Sequence, residues 1–237
     1  MLLALDIQFM WQVLPKILAA SWVTFQISVL AVVLGIILGL ALGMFRVLGA
    51  PPIQTLIQWF VDFVRGVPPL LHIAFIYFAL PSFHIQLNEF WTGVVALTII
   101  AAGYEIEIVR SAIESIERGQ REAALSIGMN ERMALFYILL PQAGQRMIPT
   151  LTNELANVIK ASSLLSVISV NELTKVGNAL IFEHFVFAEV LIQVAVMYLI
   201  IVSLLMWLSS WLEQHFSLTQ PLQNSPISHF SEMQEIR

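Results

Sequence analysis

Five ionisable side chains stand in stretches that are otherwise apolar: Glu105, Glu107 and Arg110 in one, Glu154 and Lys160 in another. Charge at membrane depth is costly, so such groups pair with one another or line a polar cavity. Glu107 and Arg110 are spaced i,i+3 and can pair on one helix face. Several such groups on two stretches favour a polar pathway over a plain anchor. Glu107 and Lys160 have the chemistry for a zwitterion, one accepting from an ammonium and the other donating to a carboxylate, with Ser162 and Ser163 as hydroxyl partners. Counting from Phe90 at 1.5 Å per residue puts Glu107 ~26 Å along its helix, which also admits an inner gate formed with Arg110. Glu105, Glu107 and Glu154 together lean the balance negative, toward a cationic solute.

Chemistry of other kinds finds no residues. None of the three lysines precedes Ser or Thr, so there is no phosphate-binding Walker loop. There is no H-E-x-x-H and no G-x-S-x-G turn. No two of His72, His84, His184, His215 and His229 fall at helical ligand spacing, so no metal site is expected, and His72 reads as a packing histidine. The chain has no cysteine, which excludes disulfides, thiol nucleophiles and Cys-ligated metals. No catalytic residue and no cofactor is expected.

The elements that must carry the charged groups follow from composition. Of 237 residues, 58% are hydrophobic and 11% charged, and the mean hydropathy is +0.83. A soluble domain carries about twice that charge. Eleven Lys and Arg against sixteen Asp and Glu argue against nucleic acid. Charge-free runs and the 20-residue length of a span predict an all-α integral membrane protein with five transmembrane helices, at about 17–44, 57–80, 90–112, 145–168 and 190–212. Residues 1–16 precede them, 113–144 form a polar connection, and 213–237 form a polar tail. The first run is too long for a signal-peptide core. Its Gly35, Gly39 and Gly43 share one helix face and permit close helix approach, within the chain or at a dimer face, the former being favoured. Arg46, Arg65, Arg110, Arg118, Arg121, Arg132, Arg146 and Arg237 fall on one side and only Lys16 and Lys175 on the other. The N-terminus is therefore expected outside and the C-terminus in the cytoplasm.

The cytoplasmic connection reads as two short helices. Ser115–Ile127 is amphipathic and closes at Gly128. Asn130 caps a second helix over Arg132–Leu140, which Pro141 is expected to end.

Within it, Glu122, Ala123 and Ala124 are followed after three residues by Gly128, and after nine more by Ile138, with Leu140 and Pro141 closing the pattern. This resembles the E-A-A-x3-G-x9-I-x-L-P motif of bacterial ABC importer permeases at every marked position. Arg65-Gly66-Val67-Pro68 with Phe75, Tyr77, Phe78, Leu80 and Pro81, and then Tyr104, Glu107 and Arg110, are similar to motifs of the polar amino-acid subfamily, of the histidine, glutamine and arginine permease kind. The resemblance covers roughly 15–215. It departs at Lys160-Ala161-Ser162-Ser163-Leu164, where the subfamily often has K-D-T-S-L, and at Glu105, where an apolar residue is usual.

The resemblance implies a type I importer fold, MetI-like, in a bacterial cytoplasmic (inner) membrane. It implies a permease subunit that makes and breaks no covalent bond. Its partners would be a dimer of ATP-binding cassette ATPase subunits, a second permease chain (identical or not), an extracytoplasmic amino-acid-binding protein and membrane lipid. Glu122, Ala123, Ala124, Gly128, Ile138, Leu140 and Pro141 would form the coupling element on which the ATPase acts, and solute would enter by alternating access. The competing class is an ion-gradient-driven secondary transporter or channel subunit, in which the coupling element would have no purpose.

Overall fold

The computed structural model describes residues 5–216, which are helical with no strand among them. The tail expected at 213–237 lies, past the end of the last helix, outside the described residues, as do residues 1–4.

Helix α1 runs Ile7–Leu48, 42 residues. It starts ten residues before the expected span because Asp6 caps it, accepting the Phe9 N–H at 2.9 Å. Lys16 ends the apolar run without ending the helix. At 1.5 Å per residue α1 is ~63 Å long, about twice the hydrocarbon thickness.

Helix α4, Glu89–Glu114, packs along α1 through the glycine face. A β-carbon on Gly39 would lie 2.6 Å from the Glu105 β-carbon, and one on Gly43 would lie 2.7 Å from Val109 Cγ1. The glycines thus serve packing within the chain. Both pairs share an offset of about 66 residues, so α1 and α4 run parallel and Glu89 stands level with Val23. The chain between them must return ~38 Å, the rise of about 25 residues.

That return is made by α2, Pro51–Gly66, and α3, Pro69–Ala79, bent by 103° and followed by a 3-10 turn at Leu80–Phe83. The single helix expected at 57–80 is therefore broken. Pro68 supplies no N–H and forces Val67 into extended backbone (φ −102°, ψ 136°), so no helix passes through them.

Helix α5, Arg118–Ser126, and α6, Glu131–Ala134, follow α4. The expected end at Pro141 is not observed. A π turn at Leu135–Leu139 leads directly into α7, Leu140–Ala161, with Pro141 in its first turn. Pro141 lacks the N–H that the Tyr137 carbonyl would accept, and the wider π turn gives its ring room.

Helix α7 is antiparallel to α4. The Arg146 guanidinium donates to the Ser115 carbonyl at 2.5 Å, and at the other end Gly93 faces Leu165. From Arg146 to Leu165 the chain retraces about 22 residues of α4, ~33 Å. It finishes as a 3-10 helix over Ser162–Ile168.

Helix α8, Leu173–His184, is capped by Glu172, which accepts the N–H groups of Thr174 and Lys175 and the Tyr198 hydroxyl. Burial pushes the Glu172 carboxyl up, against these bonds. The Leu173 N–H donates to Thr24 of α1 at 3.0 Å. Helix α9, Ala188–Phe216, runs parallel to α1: Glu189 accepts the Asp6 N–H and Gln193 donates to the Met10 carbonyl.

Among the described residues, three helices (α1, α4 and α9) are long and apolar enough to cross a membrane, and the bent α2–α3 pair makes a fourth candidate. Helix α7 falls short because Arg146, Glu154 and Lys160, together with Gln142, Gln145, Asn153 and Asn157, dilute its apolar residues. Helix α4 is the centre: 72% of its apolar window is buried, against 17% for α9.

Candidate translocation cavity and coupling segment

Antiparallel packing of α4 and α7 brings two polar helix faces together. Tyr104, Glu107 and Ser111 recur at helical spacing on α4, and Thr150, Asn153, Glu154 and Asn157 on α7. With Arg65 from the last turn of α2 they line a cavity of about 220 Å³. The Arg65 guanidinium lies over the Tyr104 ring, 5.6 Å from its centroid. Glu154 keeps one long bond, from the Asn157 amide at 3.4 Å.

Glu107 lines this cavity with its carboxylate already taken. Arg46 of α1 donates to it at 2.7 Å, and Arg110 Nε at 3.2 and 3.3 Å. Arg110 also pairs with Glu114, and Arg46 with Gln58. The expected pairing of Glu107 with Arg110 is present, inside a larger network that includes Arg46.

The other expected pathway residues lie elsewhere. Lys160 is exposed and near enough to Glu154 to act on it through charge, but does not line the cavity. The Ser162 hydroxyl donates to the Ile159 carbonyl and that of Ser163 to the Lys160 carbonyl, both at 2.7 Å. Glu105 is fully buried against Gly35 and Gly39, with neither carboxyl oxygen hydrogen-bonded.

Sequence reasoning missed Arg65, Thr150, Asn153 and Asn157 as cavity residues. The three on α7 were legible as a polar stripe at i, i+3 and i+7. Arg65 was not, because only the break at Pro68 turns α2 so that its last turn meets α4. His72 packs as expected: its Nδ1 lies 3.3 Å from the Pro68 carbonyl and its ring meets Phe63 edge-on. No group of three or more metal-ligating side chains occurs among the described residues.

The second feature is the connection from α4 to α7. Helix α5 ends in a Schellman motif: Met129 N–H donates to the Ala124 carbonyl and Gly128 N–H to that of Leu125. Gly128 has φ +88°, the left-handed conformation a glycine adopts without strain. Asn130 caps α6, accepting the Met133 N–H at 2.9 Å. Arg121 clamps α5 to α6 through two bonds to Glu131, at 3.0 and 2.6 Å, and this bonding raises the Arg121 pKa.

Glu122 and Ala123 are exposed while Ala124 is buried, and Leu125 and Ile127 present unpartnered apolar surface, Ile127 at 79% exposure. Behind α5 a cavity of about 690 Å³ is lined by Leu48, Ile113, Glu117, Arg118, Arg121 and Leu139 among others. Ile138 and Leu140 are half-buried at the π turn, next to Pro141.

The family described as "Binding-protein-dependent transport system inner membrane component" matches residues 31–218. The glutamine transport system permease protein GlnP of Escherichia coli (strain K12) is 35% identical over 215 residues, 90% of this chain and 98% of that one. The arginine transport system permease protein ArtQ of Bacillus subtilis (strain 168) is 29% identical, covering 85% and 92%. Among solved structures, an amino acid ABC transporter crystallised with histidines matches with a TM-score of 0.84 at 29% identity, over 90% of this chain and 100% of that one. An inward-facing MetNI methionine ABC transporter matches in fold, with a TM-score of 0.75 at 20% identity over 89% and 99%.

Proposed function

The chain belongs to the family of binding-protein-dependent transport system inner membrane components, as the permease subunit of an amino-acid ABC transporter, and on that footing we propose that it carries a polar amino acid with an uncharged side chain into the cytoplasm through the α4–α7 cavity. The observation that carries this reading is the balance of charge in that cavity. Glu107 is neutralised by Arg46 and Arg110, and Glu105 is sealed in the α1–α4 seam. Arg65 and Glu154 remain, one of each sign, with the amides of Asn153 and Asn157 beside them. Arg65 would take the carboxylate of the solute, Glu154 its ammonium, and the amides and hydroxyls a carboxamide or similar side chain. A cationic side chain, toward which the carboxylates alone lean, would add a charge that this balance does not answer. The glutamine permease GlnP agrees with the neutral class, against the arginine permease ArtQ at lower identity.

The chain is not itself an enzyme; a separate ATPase dimer would drive it. We read five crossings, α1, α2–α3, α4, α7 with its 3-10 extension, and α9, supported by the two return paths of ~38 and ~33 Å, each longer than the ~30 Å hydrocarbon core. The spans assigned to 17–212, the N-terminus outside and the C-terminus inside follow from the basic residues. Glu122, Ala123, Ala124 and Gly128, with Ile138, Leu140 and Pro141 at the hinge into α7, would take up the movement of the ATPase. Since α7 forms one wall of the cavity and continues from the hinge, that movement would open and close the cavity in alternation. A binding protein would deliver solute from outside, and a second permease chain would complete the pore. Lys160, Ser162 and Ser163 would act at the outer end of α7, as a solute leaves the binding protein, with Lys160 steering anionic carboxylates.

The test is uptake by proteoliposomes holding the whole transporter, with labelled glutamine competed by unlabelled amino acids. Glutamine and asparagine should compete and arginine should not. Glu154→Gln and Asn157→Ala should raise the KM with little change in basal ATP hydrolysis. Competition by arginine equal to that by glutamine would refute the neutral class. Unchanged uptake in both variants would remove the cavity from the path.

A further inference from the structure

A third cavity, of about 550 Å³, lies between the end of α1, the start of α2 and the second arm of the coupling segment. Met44, Phe45, Leu48, Ile53 and Phe136 make it apolar, and Arg132 is the one charged side chain at it. Arg132 is exposed and has no carboxylate partner among the described residues, since its neighbour Glu131 is held by Arg121. The same arm leaves Met133 43%, Phe136 47% and Tyr137 71% exposed. An aromatic and apolar face beside an unpaired guanidinium, level with the end of a membrane helix, has the composition of an interfacial surface.

We propose that this cavity binds an anionic phospholipid, its phosphate on Arg132 and an acyl chain along Phe45, Ile53 and Phe136. The apolar lining selects a lipid over a soluble phosphate, which would have nothing to bury there. The guanidinium selects an anionic headgroup over a zwitterionic one. The bound lipid ties the α6 arm to the ends of α1 and α2, and so sets the depth at which the coupling segment rides on the membrane. The proposal rests on reading α1 and α2–α3 as crossings, and lipid retention is measured independently of transport or sidedness.

Native mass spectrometry of the purified transporter, equilibrated in detergent with phosphatidylglycerol or phosphatidylcholine, counts the lipids retained. The wild type should retain phosphatidylglycerol about five-fold better, the factor equivalent to the ~1 kcal/mol that one basic residue contributes near an anionic surface. Arg132→Gln should abolish that preference, Phe136→Ser should lower retention of both lipids, and Arg118→Gln, whose residue lies outside this cavity, should change neither. Equal retention of the two lipids by the wild type, or an unchanged preference in Arg132→Gln, overturns the proposal. Loss of the ATPase from purified Arg132→Gln with lipid retention intact also overturns it, and assigns the cavity to that protein.

Discussion

Gly39→Ala adds one methyl group to the α1–α4 seam where the backbone of α4 stands against it. The new β-carbon would lie 2.6 Å from the Glu105 β-carbon, 3.2 Å from the Glu105 carbonyl carbon and 3.3 Å from the Ile106 nitrogen. Carbon atoms at optimal separation stand about 3.5–4.0 Å apart. All three obstacles are backbone or the first side-chain atom, so no rotamer change removes them, and the two helices must part by ~1 Å. Overpacking of this kind costs ~1–3 kcal/mol, partly offset by the ~1 kcal/mol by which Ala exceeds Gly in a helix. Gly144→Ala is the matched control, because a β-carbon there meets nothing within 4 Å and only the helix preference remains. Thermal unfolding of the purified protein should therefore move down for Gly39→Ala and slightly up for Gly144→Ala. At ~2–4 °C per kcal/mol for a chain of this size, the two midpoints should separate by several degrees. Equal midpoints, or a more stable Gly39→Ala, would refute the argument that this glycine face holds α1 to α4.

Three further outcomes are expected. In this cysteine-free chain, Ser126→Cys on α5 should react with an impermeant thiol reagent only from the cytoplasmic side and Ser82→Cys only from outside; labelling of Ser126→Cys in intact cells would reverse the topology. Gly128→Val places a β-branched residue at φ +88° in open space, so it should cost ~1–3 kcal/mol of local strain, leave the chain inserted and uncouple ATP hydrolysis from uptake; normal uptake with the ATPase still bound would remove the turn from the coupling route. Glu107→Gln leaves Arg46 without its counter-charge and Arg110 with Glu114 alone, so it should lower the unfolding midpoint by the equivalent of ~1–3 kcal/mol while solute preference stays as in the wild type, and a changed preference would return Glu107 to the solute site.

The apolar helices were legible because burial in lipid or protein demands long runs such as Ile17–Phe45. The coupling turn was legible too, since Gly128 and Asn130 signal through local backbone chemistry. What composition concealed was set by caps, by turn geometry and by contacts between distant segments. Lys16 looked like the start of a helix whose cap, Asp6, lies ten residues earlier. Pro141 reads as a terminator only when the preceding turn is assumed to be α; a π turn removes the clash. The carboxylates of Glu105 and Glu107 count alike in a charge tally, yet one is enclosed by glycines of α1 and the other paired with an arginine of α1, and neither fact is local to α4.

Helix α7 carries Arg146, Glu154 and Lys160 on a segment too polar to enter lipid alone, and among the described residues Arg146 bonds to Ser115 of α4. On the reading of five crossings, its integration during synthesis depends on the helices made before it. The translocon can release α1 and α4 sideways on their own hydrophobicity, whereas α7 must be handed to them as they wait. A chain permuted so that α7 emerges first would present the same residues to the insertion machinery and leave that segment outside the bilayer.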